Sequence, residues 1–112
     1  MPLMKPTSTN IFANIPPSLP EELFEQIVQQ NNILIERIVS KGHHTAQEHW
    51  YNQTVDEWVI LLQGQATLLF ENGQQLIELS AGDYVFIPAH TKHKVVWTLP
   101  EFNTVWLAVH IN

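Results

Sequence analysis

The stretch Val55-Asp56-Glu57-Trp58-Val59-Ile60-Leu61-Leu62-Gln63-Gly64 decides the fold. Residues 55–62 read as a strand, rich in β-branched and aromatic side chains and closed by a glycine that marks a turn. One parity carries Glu57, Val59 and Leu61, the other Trp58, Ile60 and Leu62. A strand with one face in water alternates apolar with polar residues. This strand is apolar on both faces, so its outer face needs a cover. The N-terminal arm, a helix or a second subunit could supply it, and a homodimer is expected.

The segments on either side carry the same texture. Residues 33–39, 65–71, 75–79, 84–87, 93–98 and 104–111 each read as a short strand. Glu71-Asn72-Gly73-Gln74 and Ser80-Ala81-Gly82-Asp83 are turns between them, and Asn-Gly at the centre of the first suits a tight primed hairpin. Several short strands with turns between them predict an all-β sandwich or closed barrel. Before them, residues 1–19 are polar and proline-rich and read as an extended arm lying on the domain. Pro20-Glu21-Glu22 looks like a helix start, and Leu23, Phe24, Ile27 and Val28 form an apolar stripe at helical spacing. A short helix ending near residues 30–32 is therefore predicted. The expected organisation is an arm and helix over residues 1–32 and a β-barrel over residues 33–112.

Composition bounds the function. A chain of 112 residues with 45% hydrophobic content can bury one core without staples. The net charge of -6 argues against nucleic acid as a partner, because few cations are available to neutralise phosphates. No run of residues is apolar enough for a membrane span or a signal peptide, so a cytoplasmic location is expected. With no cysteine there are no disulfides, thiolate metal sites or thiol nucleophiles. No glycine-rich phosphate loop or Gly-x-Ser-x-Gly elbow is present, and Arg37 is the only arginine available for an anion clamp.

The spacing of five residues carries a resemblance. Glu57 is followed after six residues by Gly64; Gly82 is followed after five by Pro88; His93 comes next. This pattern, over residues 33–111, resembles the cupin family. The family's first motif places a His-x-His pair three or four residues before its glutamate. In this sequence those positions hold Tyr51 and Gln53, or Trp50 and Asn52, so no histidine stands at either. In the second motif His90 replaces a glycine and Trp97 an asparagine, while Gly82, Pro88 and His93 match. The resemblance implies a jelly-roll barrel, the cupin double-stranded β-helix. It also implies a metal held by His and Glu side chains, with oxygenase, isomerase or lyase chemistry.

Parity places Glu57 with Val59 and Leu61 on the inside. It places His93, Val95 and Trp97 inside as well, with Lys92 and Lys94 toward water. A buried carboxylate needs a metal, a histidinium or hydrogen bonds. Gln53, Glu57 and His93 would make a mixed oxygen and nitrogen site for a divalent ion such as Fe, Mn, Ni or Zn. His90, His110 and His49 are candidates to complete it. Glu57 and His93 could instead be a structural ion pair. Tyr51, Trp97 and Trp106 are candidate pocket residues. Beside a metal enzyme acting on a small molecule, two further readings stand: a non-enzymatic ligand-binding barrel, and a structural dimer module with a filled interior.

Overall fold

Residues 5–112 are described by a computed structural model. Eight strands form: β1 (Leu23–Gln30), β2 (Ile33–Ser40), β3 (Asp56–Gln63), β4 (Gln65–Phe70), β5 (Gln75–Ser80), β6 (Tyr84–Ile87), β7 (His93–Thr98) and β8 (Thr104–Ile111). They build two antiparallel sheets, ordered β1-β2-β8-β3-β6 and β5-β4-β7. The inner faces pack Val59, Leu61, Leu68, Phe70, Ile87 and Trp106 between them as a jelly-roll core. Among the described residues no helix is long and apolar enough to cross a membrane.

The predicted helix is a strand. Residues 23–30 form β1, paired with β2 from Leu23 opposite Val39 to Gln30 opposite Ile33. The hairpin turns at Asn31 and Asn32, with Asn31 at φ 47°, a left-handed conformation that asparagine tolerates. The ladder slips between Gln26 and Val28, leaving Ile27 as a bulge. A bulge resets strand alternation. It therefore spaces Leu23, Phe24, Ile27 and Val28 like one face of a helix, although a strand partner satisfies the backbone.

The hairpin between β4 and β5 also differs from expectation. It closes through a single 3-10 turn over Asn72–Gln74, with Gly73 and Gln74 both at positive φ, rather than a two-residue primed turn. On the outer side of β2, the buried Arg37 pairs with Glu25 and donates to the carbonyls of Ile11, Ala13 and Asn14. One guanidinium thus ties the arm to the sheet.

The barrel interior is graded along the strands. At one end Ser40, Leu61, Thr98 and Thr104 are fully enclosed. Toward the other end the inward positions of β2, β3, β7 and β8 are Glu36, Glu57, His93 and His110, and there a cavity opens.

Candidate functional site

The cavity has a volume of about 80 Å³ and is lined by both sheets. Glu57 begins the inward face of β3, and His110 of β8 stands directly opposite it in the register. Cross-strand neighbours of this kind have side chains in contact range. His110 does not bond Glu57, however. Its Nε2 lies 3.0 Å from Glu36 Oε1, a charge-assisted contact to the diagonal residue on β2. His93 belongs to the other sheet and faces Glu57 across the interior, Nε2 to Oε1 3.8 Å.

The His93 imidazole is held on every side. Tyr51 stacks on one face at 5.7 Å and Phe70 on the other at 5.8 Å. Tyr51 is placed by a backbone bridge to His93 itself, with N–H to O distances of 2.8 and 3.0 Å. His93 Nδ1 donates to the Thr91 carbonyl at 2.8 Å. In the neutral ring this fixes the tautomer: Nδ1 carries the proton and Nε2 keeps a lone pair aimed toward Glu57.

Glu57 is only 7% exposed, and among the described residues its carboxylate makes no hydrogen bond. Burial holds its carboxyl above the ordinary glutamate range; His110 and His93 pull it back, and Glu36 pushes it further up. The Tyr51 phenol is also raised, by burial first and then by Glu22 and Glu57. Desolvation therefore outweighs both imidazoles at Glu57, which is how a proton-donating carboxylic acid is made.

Gln53, Tyr51 and Trp106 line the cavity with Glu57, His93 and His110. Trp106 Nε1 donates to Ser40 Oγ at 3.2 Å, and Ser40 in turn donates to Glu22. The structure does not bring His90 to this cavity. It sits exposed in a turn at φ 63°, its N–H bonded to the Gln53 carbonyl at 2.7 Å, outside the cavity lining. His49 is exposed and meets the edge of Tyr51. Trp97 is 42% exposed and outside the cavity. Its displacement has a local cause: β7 slips against β4 between Val95 and Trp97, so the alternation that starts at His93 reverses after Val96. Lys94, expected in water, is 9% exposed. Its Nζ donates to the Gln47 carbonyl at 2.7 Å and lies 4.4 Å over the Trp50 ring, beneath the 41–55 segment.

Among the charged and aromatic lining residues, Glu22, Phe24 and Glu36 escape a reading of the sequence. Phe24 and Glu22 come with β1 and its approach, where a helix is expected. Glu36 had a signal. Glu36 and Arg37 are adjacent charges in an apolar strand, so one of them must face in.

The profile of the cupin domain family matches residues 36–110. The chain is a cupin. Among solved structures, a Ralstonia eutropha JMP134 protein with a provisional assignment as a mannose-6-phosphate isomerase is 36% identical. The match covers 96% of this chain and 99% of that one, at a TM-score of 0.91. A cupin superfamily protein of Desulfitobacterium hafniense DCB-2 is 20% identical over 87% of this cupin and 83% of its own chain, TM-score 0.71. A polyketide cyclase of Streptomyces resistomycificus is 16% identical over 82% and 66%, TM-score 0.70. The last two share the fold. No curated protein matches this cupin.

Among the described residues no three His, Asp or Glu side chains are gathered as a metal cluster. Two donors are poised: the unbonded Glu57 carboxylate and the Nε2 lone pair of His93. Their 3.8 Å separation is within reach of one shared ion, since two ligands each at about 2.1 Å are about 3.4 Å apart in a tetrahedral site and at most about 4.2 Å apart in any geometry, so a small closure would bring both onto it. His110 Nε2 is committed to Glu36. A third protein donor would be the Gln53 amide oxygen, so the residues fit a weakly charged site with three protein donors.

Proposed function

We propose that this cupin is a small-molecule enzyme of the isomerase or lyase class, transferring protons between Glu57, His93 and a carbonyl compound in the barrel cavity. One observation carries the reading. A buried, unbonded carboxyl with a raised pKa faces a fixed histidine lone pair at a cavity wall. His93 Nε2 takes the proton from the carbon beside the carbonyl. The C–H electron pair moves into a carbon–carbon double bond, and Glu57 delivers its proton to the carbonyl oxygen. Where the α-carbon carries a hydroxyl the intermediate is an enediol, and return of the proton from His93 to the former carbonyl carbon, with the α-hydroxyl proton passing to Glu57, completes an isomerisation. Where a β-substituent leaves with its bonding electron pair and the enol proton returns to Glu57, the outcome is a lyase reaction. Stacking by Tyr51 and Phe70 keeps the ring in place through both transfers. The provisional isomerase assignment of the Ralstonia relative supports the reaction class, and its phosphorylated sugar is not carried over.

Deuterium exchange tests this without knowledge of the product. Uncharged aldehydes, ketones and sugars are incubated with the protein in D2O, and NMR reads label at the carbon beside the carbonyl. Enzyme-dependent labelling of at least one compound is expected, lowered about 100-fold or more in His93→Ala. No labelling across the set would refute the proposal.

A second reading has its own support. The orphan carboxylate, the lone pair of His93 and Gln53 fit a divalent ion such as Fe, Mn, Ni or Zn, which when bound would supply Lewis-acid or dioxygen chemistry. Stoichiometric uptake of Mn, Ni or Zn by the parent, lost in His93→Ala, would establish it.

The outer face of the five-stranded sheet supports a homodimer. Val28, Ile33, Tyr84, Phe86 and Ile111 are exposed there, around the half-buried Trp58. The charged pair Arg37 with Glu25 on this face is internally neutralised and capped by the arm carbonyls of Ile11 and Ala13. An exposed apolar patch of this kind can pack on a second copy of itself about a two-fold axis. Light scattering after size exclusion is expected to give a dimer at micromolar concentration, and Phe86→Asp a monomer. A monomeric parent would exclude the dimer.

A further inference from the structure

We propose that the cavity, read as the small-molecule site, takes ligands with an apolar body and an uncharged or cationic head, and excludes phosphorylated and carboxylate ligands. The first support is the charge of its wall. Glu22, Glu36 and Glu57 line it, with His93 and His110 as the only groups that can become positive. With Glu22 and Glu36 ionised, the wall is at best neutral even when both imidazoles and Glu57 carry protons. In every other protonation state it is negative.

The second support is where the cations went. Arg37 is on the outer face, bound to Glu25 and the arm carbonyls. Lys94 is spent on the Gln47 carbonyl and the Trp50 ring. Lys92 lies beside Glu71, and Lys5 and Lys41 are exposed away from the cavity. No lining residue is a lysine or arginine. Among the described residues none brings a guanidinium fork or an ammonium to an anionic head, whereas anion sites are built from such groups or from open helix N-termini.

The third support is Glu57 itself. It is 7% exposed, lines the cavity and has no hydrogen-bond partner among the described residues. A ligand donor such as an ammonium or hydroxyl would satisfy its carbonyl oxygen; a phosphate or carboxylate would bring its charge beside Glu22 and Glu36 with no lysine or arginine in the lining to neutralise it. The remaining wall suits the body of such a ligand. Phe24, Tyr51 and Trp106 offer ring faces that attract cations, and Ile38, Val59 and Leu68 offer apolar surface.

Binding rather than turnover tests this, so its outcome is separate from that of the deuterium exchange. Calorimetry at low salt is run with cyclohexylamine, cyclohexanol, cyclohexyl phosphate and cyclohexanecarboxylate. The amine and the alcohol are expected to bind. The phosphate and carboxylate are expected to bind about tenfold more weakly or not at all. In Glu22→Gln/Glu36→Gln the amine is expected to lose its advantage over the alcohol while the alcohol still binds. Equal or tighter binding of the phosphate would overturn the proposal. So would binding by none of the four, or an order unchanged in the double variant.

Discussion

Replacing Glu57 by glutamine raises the melting temperature above the parent's at about pH 8, and the gain fades as the pH falls toward the ordinary glutamate range. Burial raises the folded-state pKa of this carboxyl. Between the ordinary value of 4.5 and that raised value, the folded chain therefore binds more protons than the unfolded chain. Stability falls as pH rises through this window, and above it the full cost of a buried charge is felt. Glutamine keeps the shape and removes the charge. A gain of about 1 kcal/mol would raise Tm by about 5 °C in a domain of this size. Thermal melts of parent and variant across pH check the result. The same variant should lose proton transfer to the carbonyl oxygen, the trade expected of a site that stores strain for chemistry. If the two side chains were a structural ion pair, the outcome would reverse. Glu57→Gln and His93→Ala would then each lose roughly 3–5 kcal/mol at neutral pH, because a buried charge would be stranded.

Gly64→Ala is expected to be the most damaging of the glycine substitutions. Gly64 joins β3 to β4 at φ 93°, and an added Cβ would lie 2.7 Å from the Thr104 Cα. Both obstacles act together: a backbone conformation that side chains rarely adopt, and a neighbouring strand that cannot retreat. Thr104 is fully buried, and its hydroxyl donates to the Gln65 carbonyl at 3.3 Å. A loss of about 3 kcal/mol or more follows, read as a fall in Tm of about 10 °C or more. Gly82→Ala is the control. Gly82 has φ 96° with nothing within 4 Å of the added carbon, so it isolates the conformational cost, about 1–3 kcal/mol. Equal losses in the two variants would show that the approach of Thr104 does not matter.

These residues also show how far the sequence could be read. The two-faced apolar pattern of residues 57–62 identifies a strand, and parity puts Glu57 beside Val59 and Leu61, where all three are buried. The position of His93 is legible for the same reason, because alternation holds at the start of β7. It fails after Val96, where a bulge that no local pattern announces sends Trp97 outward. It fails at Lys94 because the covering segment comes from residues 47 and 50, remote in sequence. The helical stripe at residues 23–28 misled for a related reason: a bulge at Ile27 imitates helical spacing, and the partner strand decides the outcome. The contact between Glu36 and His110 spans 74 positions and needs the order β2-β8-β3 to exist. His90 is in a glycine position of the cupin pattern, and it keeps the left-handed turn such a position requires instead of joining the site.

The protonation of Glu57 is the quantity on which the functional account turns. Difference infrared spectroscopy of the parent against Glu57→Gln, titrated across pH, reads it directly in the carboxyl stretching region. The account predicts a protonated carboxyl band that persists well above pH 4.5, the ordinary value for glutamate. A band of ionised carboxylate throughout the titration, down to that value or below, would contradict it. Glu57 would then be held as an anion by His93 or by a metal, and it could not be the acid of this site.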